Sequence, residues 1–364
     1  NVPNRGQNVS ITVPEGVVTN GQGKPAASVN VSFTTTDLDK TPVMATSAPA
    51  KALYNFLLEN VDNKIISGMM ADVAWNQTCA DKVNEWTGKY PAINGFDYLH
   101  MAASKAGANW INYKDITPVK NWYDNNGIVQ LMWHWNVPKS EPKTGLDPNK
   151  DYNCYIKTND NDGTTFDAAN ALTEGTWENE VWKDDMKTLK EYLTLLKDAN
   201  IPVLWRPFHE ASGKWFWWGK DAESFKKLWI EMYNELKDAG LDNLIWVWTS
   251  CGKDNDWYPG DAYVDVVARD LYGDNESTCA TEYSDLGATY GNKIVTLGEC
   301  GYSTYTTSQI ATISKQWNAG AKWSWFMVWY NDEDSHTYHS TQEWWQDAMS
   351  QPNVITRDQV PSMK

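Results

Sequence analysis

Eight short apolar runs, separated by longer stretches of helical periodicity, predict an α/β fold whose parallel strands close into a (β/α)8 TIM barrel. The runs occupy residues 65–69, 92–96, 128–134, 203–208, 244–248, 264–271, 294–297 and 323–329. Between two of them, Trp182, Met186 and Leu189 recur at steps of three and four, which is the period of an amphipathic helix. Asn200 and Gly240 follow predicted helices at positions where a left-handed cap is expected.

The first 45 residues differ from the rest of the chain, because they contain no Trp and are rich in Val, Thr, Ser and Asn. Two alternating runs at 9–13 and 29–33 flank the turn-forming sequence Asn-Gly-Gln-Gly at 20–23. We therefore expect a short N-terminal β-hairpin extension over residues 1–45, or the remnant of an immunoglobulin-like module. Residues 44–50 are expected to form a linker, and residues 46–364 the barrel domain.

Composition and charge narrow the possible partners. The formal net charge is −16 and the sequence pI is near 4.7, so the field of the molecule repels nucleic acid and anionic membrane surfaces. We expect no membrane insertion, since no apolar run has the roughly 18 residues that a spanning helix needs. The chain has 22 Trp and 18 Tyr against 8 Phe, and flat rings with a polar edge suit a cleft that binds sugars. About half of the tryptophans are expected simply to pack in the core.

The five cysteines show no metal-binding spacing, which argues against a zinc site. A disulfide between Cys251 and Cys279 is a weak possibility, whereas Cys300 fits a small buried apolar position.

Two predicted strands end in a carboxylate. The run at 203–208 contains Arg206 and leads into His209 and Glu210, and the run at 294–297 leads into Glu299. Catalytic groups of a barrel lie at the carboxyl ends of its strands, so both glutamates are expected to face one cleft. Retaining glycosidases need such a pair, about 5–5.5 Å apart, with one carboxyl as acid and the other as nucleophile. The alternative is that each glutamate is a structural ion-pair partner of Arg206 or Arg269.

The motifs RPFHEASGKWFWWG (206–219) and LGECG (297–301) resemble glycoside hydrolase family 26, a family of retaining barrel enzymes that includes many β-mannanases. The resemblance extends over about residues 45–355. It implies that Glu210 is the acid/base and that Glu299 is the nucleophile.

The same resemblance implies a set of substrate-binding residues around the two glutamates. Trp329 is the expected platform under the sugar next to the scissile bond, with Trp325 as the alternative. Arg206 either contacts substrate or nucleophile, or forms an ion pair in the core. The implied substrate-binding residues are His134, Arg206, His209, Trp215, Asp270, Tyr272 and Trp329.

The resemblance implies a retaining endo-β-1,4-mannanase that acts by double displacement on mannan or galactomannan, without a metal or other cofactor. Mixed-linkage β-glucan and β-1,3-xylan are alternative substrates within the family. The long segment 136–180 is expected to be a substrate-binding loop. We expect a monomer that is secreted or located at the cell surface or in the periplasm.

Two other classes of protein are less favoured. A metal-dependent hydrolase could use His134, His209, Glu210 and Asp270 as ligands, but neighbouring side chains of an extended strand point to opposite faces. A non-catalytic carbohydrate-binding protein would share the aromatic cleft, but it would not need two carboxylates at strand ends.

Overall fold

The computed structural model describes residues 5–107, 110–142, 144–331 and 339–364. The strands are β1 (Asn8–Val13), β2 (Val29–Thr34), β3 (Ile65–Met70), β4 (Ile93–Asp97), β5 (Ile128–Trp133), β6 (Val137–Pro138), β7 (Tyr152–Asn153), β8 (Val203–Pro207), β9 (Leu244–Ser250), β10 (Val266–Tyr272), β11 (Ile294–Ser303), β12 (Ser308–Gln309), β13 (Trp325–Val328) and β14 (Val354–Ile355). The α-helices are α1 (Ala48–Asn60), α2 (Thr78–Thr87), α3 (Met101–Lys105), α4 (Thr117–Asp124), α5 (Ala168–Ala171), α6 (Trp177–Asp198), α7 (Ala222–Asp238), α8 (Glu276–Thr289), α9 (Ile313–Ala319) and α10 (Gln342–Ser350).

The predicted (β/α)8 TIM barrel is confirmed. Strands β3, β4, β5, β8, β9, β10, β11 and β13 pair in parallel in that order, and β13 pairs with β3 to close the ring. Each predicted apolar run overlaps one barrel strand, although β11 continues six residues further than expected. Asn200 and Gly240 have φ of 57° and 73°, in the left-handed region expected after α6 and α7.

Two layers of apolar packing hold the barrel together. The interior is filled mainly by aliphatic side chains and methionines, whereas the layer between strands and helices contains most of the buried tryptophans. Twelve of the tryptophans have less than 2% of their surface exposed, which agrees with a core role for about half of them. Inside the barrel, a Cβ on Gly95 would lie 2.6 Å from Met70 Sδ, so this glycine leaves the space that methionine fills.

The N-terminal hairpin is present as a separate two-stranded sheet, in which β1 pairs antiparallel with β2. Both faces of this sheet are largely exposed, including Ile11 and Phe33. Before it, Arg5 donates a 2.5 Å hydrogen bond to the carbonyl oxygen of Gly291 on the barrel.

The segment that follows differs from the predicted linker at 44–50. Met44 and Ala45 are buried, and α1 begins at Ala48. Asp39 accepts a 2.6 Å hydrogen bond from the buried ammonium of Lys293, so the chain joins the barrel before residue 44. No helix in the described ranges combines the length and apolar character that a bilayer-spanning segment requires.

Candidate active site

Three carboxylates meet at the carboxyl ends of the barrel strands. Glu210 is the third residue after β8, Asp270 lies in β10 and Glu299 lies in β11. Oxygen atoms from the three side chains lie within 4.8 Å of one another. The two glutamates singled out in the sequence therefore face one cleft, at a separation that suits direct attack and leaves less room than the 6.5–9.5 Å of inverting enzymes.

A β-bulge turns Glu299 into the cleft. Arg269 pairs with Leu297 and Asp270 pairs with Glu299, so Gly298 is the extra residue on β11. Bulges next to active sites change the direction of a side chain. A Cβ on Gly298 would lie 2.8 Å from Asp270 Oδ1 and 3.1 Å from Arg206 Nε, which shows that glycine is needed under these two side chains.

An irregular turn places His209 and Glu210 on the same side of the chain. Phe208 and Glu210 have φ of 48° and 54°, in the left-handed region that bulky residues rarely adopt. His209 Nε2 consequently lies 3.6 Å from Glu299 Oε1, although His209 and Glu210 are neighbours in sequence. His209 and Glu210 therefore do not point to opposite faces as predicted for an extended strand, because residues 208–210 form a turn.

Arg206 connects two of the carboxylates from within the barrel. Its Nη1 donates a 2.6 Å hydrogen bond to Glu299 Oε1, its Nη2 contacts Asp270 Oδ2, and its Nε donates to Thr249 Oγ1 at 3.0 Å. Arg206 is therefore a buried ion-pair partner that also contacts Glu299, while a contact with substrate stays a prediction. Burial opposes its charge, but Asp270 and Glu299 outweigh burial and raise the pKa of Arg206.

Glu210 and Glu299 lie in opposite environments. Glu299 accepts a second hydrogen bond from the Tyr272 hydroxyl at 2.7 Å, so both of its oxygens have donors. Glu210 has the indole Nε1 of Trp215 as its donor, at 3.1 Å. Burial, together with the charges of Asp270 and Glu299, raises the pKa of Glu210 well above its usual range. A carboxyl whose pKa is raised by its surroundings is suited to act as the acid in glycosidases.

His134 and His209 form a contact pair at the base of the cleft. Their ring centroids are 4.2 Å apart, and His134 also has an edge contact with Trp329 at 5.8 Å. Burial lowers the pKa of His209 well below its usual value, and the nearby His134 and Arg206 lower it further. His209 is therefore a neutral side chain beside Glu299.

Trp215 and Trp329, the two tryptophans expected to contact sugar, differ in exposure and in their neighbours. Trp215 is 43% exposed and its indole lies against Gly213, where an added Cβ would be 2.1 Å from the ring. Trp329 is half-buried after β13 and faces His134, whereas Trp325 is fully buried in the barrel interior. Trp325 and Trp329 were the two alternatives for the platform under the sugar, and of these only Trp329 is placed to reach a substrate.

Comparison with known proteins agrees with this geometry. The family model of glycosyl hydrolase family 26 matches residues 43–359. The chain belongs to this family. It is 32% identical over 339 residues to mannan endo-1,4-beta-mannosidase B of Piromyces sp, covering 90% of this chain and 55% of that protein. It is 31% identical over 319 residues to a mannan endo-1,4-beta-mannosidase of Thermothelomyces thermophilus, covering 86% of this chain and 61% of that protein. The chain thus spans little more than half the length of these two relatives.

Solved family 26 structures show the same fold. The GH26 domain of an endo-beta-mannanase/endo-beta-glucanase from Prevotella bryantii has 43% identity and a TM-score of 0.80, covering 87% of this chain and 98% of that one. A beta-mannanase from a symbiotic protist of the termite Reticulitermes speratus, complexed with gluco-manno-oligosaccharide, has 34% identity and a TM-score of 0.75. That match covers 90% of this chain and 99% of the other.

The long segment 136–180 brings an aromatic side chain to the cleft of this family 26 protein. Within it, β6 pairs with β7, and Tyr155 forms a bridge with Phe216. The Tyr155 ring stacks on Phe216 at 5.2 Å, and Phe216 stacks in turn on Trp218 at 4.4 Å. Tyr155 is 44% exposed, so one wall of the cleft comes from this segment. Its role as a substrate-binding loop remains a prediction.

Sequence reasoning missed Asp97, Tyr155 and Phe216. Asp97 ends β4, where a carboxylate follows an apolar run, as Glu210 and Glu299 do after theirs. That shared pattern could have identified Asp97, whereas the stacking of Tyr155 on Phe216 depends on a loop conformation that no local pattern encodes.

The suggested disulfide is wrong. Cys251 and Cys279 are both free thiols, as are the other three cysteines. Cys300 is fully buried in the layer behind β11, as expected for a small apolar side chain.

Proposed function

We propose that this family 26 protein is a retaining endo-β-1,4-mannanase that cleaves mannan or galactomannan by double displacement. The observation that carries the proposal is the approach of Glu210 and Glu299 within 4.8 Å, in environments that separate their protonation states.

In the first step, Glu299 attacks the anomeric carbon while Glu210 gives its proton to the departing glycosidic oxygen. Arg206 and Tyr272 hold the Glu299 carboxylate in place through one hydrogen bond to each of its oxygens. The C–O bond to the leaving chain breaks as the ester bond to Glu299 forms, and Glu210 becomes a carboxylate.

In the second step, Glu210 takes a proton from water and the water oxygen attacks the same carbon. The bond to Glu299 breaks, so Glu299 leaves as a carboxylate and Glu210 regains its proton. Two inversions give net retention of configuration. Trp215 donates to Glu210 and is half-exposed beside it, so this indole is proposed to contact the leaving-group sugar.

We propose His134, His209, Asp270 and Trp329 as the remaining binding residues around these steps. Arg206 also argues against a metal-dependent mechanism, because its guanidinium already supplies the positive charge between Asp270 and Glu299. No step in this scheme needs a metal or organic cofactor.

Mannan is the proposed polymer because the curated relatives described above are named mannan endo-1,4-beta-mannosidases. One solved relative was complexed with gluco-manno-oligosaccharide, and another belongs to a protein described as an endo-beta-mannanase/endo-beta-glucanase. β-Glucan is therefore the second candidate substrate. A non-catalytic binding protein is disfavoured because it has no use for the paired carboxylates.

The test combines a substrate panel with product stereochemistry. Mannan, galactomannan, lichenan and β-1,3-xylan are compared, and the anomer first released is followed by NMR. We expect shortening of mannan with retention of configuration; first release of the inverted anomer, or activity only on another polymer, would contradict the proposal.

Glu299→Ala should lower kcat by on the order of 10⁴-fold or more while oligosaccharide binding persists in calorimetry. The exposed Glu231, on the surface of α7, provides the matched control Glu231→Ala, which should behave as the wild type. Retained turnover in Glu299→Ala would show that the nucleophile is another residue.

We also propose residues 1–45 as an N-terminal extension and 46–364 as the catalytic domain of a monomer. Because polymeric mannan does not enter cells, the proposed site of action is secreted, at the cell surface or in the periplasm. Sedimentation and cell fractionation test these two points.

A further inference from the structure

Asp97 makes two hydrogen bonds to the same histidine. Its Oδ2 contacts His134 Nδ1, and its Oδ1 accepts a 3.0 Å hydrogen bond from the backbone N–H of His134. Asp97 is 2% exposed and ends β4, next to the end of β5 that leads into His134. The carboxylate thus fixes both the backbone and the ring of its neighbour.

The position of Asp97 is itself fixed. Tyr113 donates a 2.8 Å hydrogen bond from its hydroxyl to the Asp97 carbonyl oxygen and accepts one from the His100 backbone N–H. Asn136, two residues after His134, donates to the Leu99 carbonyl oxygen at 3.0 Å. The two strand ends are therefore joined on both sides of the Asp97–His134 contact.

This contact determines which ring nitrogen of His134 carries the proton. A carboxylate only accepts hydrogen bonds, so Nδ1 must be the donor. In the neutral ring, Nε2 then keeps a lone pair and is a hydrogen-bond acceptor. Among the described residues Nε2 has no hydrogen-bond partner, and the His134 side chain retains 11% of its surface beside His209 and Trp329.

We propose that Asp97 is a positioning residue that keeps His134 in the Nδ1–H tautomer, so that His134 Nε2 accepts a hydrogen bond from a hydroxyl of the sugar bound beside Glu299. The sugar contact rests on the proposed function, whereas the tautomer does not. The ligand group is a hydroxyl that donates, and a carbonyl or ether oxygen at the same place would not satisfy Nε2.

Asp97→Asn should move the ring proton of His134 from Nδ1 to Nε2 without changing the shape of the side chain at position 97. The His134 backbone N–H still needs an acceptor, so the amide oxygen of the new side chain takes the Oδ1 position. Its NH2 group then faces His134 Nδ1 and requires an acceptor there, which moves the ring proton to Nε2. Both His134 Nε2 and the sugar hydroxyl would then have to reorganise their hydrogen bonds. A wrong histidine tautomer is also the cost of the corresponding Asp-to-Asn change in serine proteases.

Nitrogen-15 NMR of histidine-labelled protein measures the tautomer directly. The chain has only five histidines, and His134→Asn identifies the signal of His134 by its loss. We expect protonation at Nδ1 in the wild type and at Nε2 in Asp97→Asn. Protonation at Nε2 alone, or at both nitrogens, in the wild type at the assay pH would overturn the proposal.

Kinetics on mannan test the consequence for the sugar. We expect Asp97→Asn to lower kcat/KM by about 10- to 100-fold, the scale of a polar group left unpaired in the transition state. Asp238→Asn is the matched control, because it makes the same change of side chain on the exposed surface of α7, away from the cleft. This control should keep the wild-type tautomer and a kcat/KM within about 3-fold of wild type.

The two proposals fail in different ways. A wild type that does not hydrolyse mannan would contradict the proposed function, while the NMR experiment would still decide the tautomer. An Asp97→Asn protein with the moved proton and unchanged kcat/KM would show that His134 Nε2 does not accept from the substrate.

Discussion

Replacing Gly298 by alanine tests whether the bulge in β11 holds the site together. The added Cβ would lie 2.8 Å from Asp270 Oδ1, 2.9 Å from Ala268 Cβ and 3.1 Å from Arg206 Nε. All three distances are shorter than ordinary contact, so these neighbours must move by several tenths of an ångström. Arg206 and Asp270 are buried and paired with each other, so neither side chain can move alone.

The expected magnitude follows from those contacts. Adding a methyl group to a packed interior costs about 1–3 kcal/mol of unfolding free energy. The loss rises to about 3–5 kcal/mol if the Arg206–Asp270 pair breaks and leaves a buried charge unpaired. Because Arg206 also binds Glu299, a shift approaching 1 Å should lower kcat on the order of 100-fold.

Chemical denaturation and steady-state kinetics on mannan measure the two effects. Gly287→Ala is the matched control, because Gly287 lies in α8 and a Cβ there meets no atom within 4 Å. The control should be neutral or stabilised by about 0.5–1 kcal/mol. If Gly298→Ala retains both the stability and the kcat of the wild type, the bulge does not constrain the carboxylates as argued.

Two further predictions concern the acid and the hairpin. The kcat/KM of the wild type should fall at alkaline pH, where Glu210 loses the proton that its raised pKa retains. Glu210→Gln, assayed on an aryl β-mannoside with an activated leaving group, should no longer show this fall. An unchanged alkaline profile in the variant would exclude Glu210 as the titrating acid. Removal of residues 1–36 should leave kcat unchanged and lower Tm by no more than about 2–4 °C. The reason is that the hairpin is exposed and that the contacts of Arg5 with the barrel are partly exposed. A larger decrease in Tm, measured by differential scanning calorimetry, would show that the hairpin stabilises the barrel.

The barrel and its carboxylate pair could be predicted from the sequence because both depend on local patterns. A buried parallel strand has a short apolar run, and eight such runs with helices between them leave few alternatives. The carboxyl ends of those strands form one face, so Glu210 and Glu299 had to be neighbours even though 89 positions separate them.

The shape of the site could not be predicted, because it depends on departures from the regular strand. The bulge at Gly298 is defined by pairing with β10, which is distant in sequence. The left-handed conformations of Phe208 and Glu210 run against the preference of both residue types, and surrounding structure imposes them. Regular alternation would have pointed one of His209 and Glu210 away from the cleft.

The balance of charge explains why one carboxyl keeps its proton. Glu210, Asp270 and Glu299 share a single guanidinium, that of Arg206, and His209 is neutral. With all three ionised, the site would hold two uncompensated negative charges in a buried setting, which is costly. Among the residues that the structure describes, Glu299 has two hydrogen-bond donors and Asp270 has Arg206, whereas Glu210 has the Trp215 indole alone. Burial raises the pKa of Asp270 to about 7, against the opposing effect of Arg206, whereas burial and the charges of Asp270 and Glu299 raise the pKa of Glu210 well above its usual range. Glu210 is therefore the carboxyl expected to keep the proton. This difference in hydrogen-bond donors supports the proposed roles of Glu210 as the acid and Glu299 as the nucleophile.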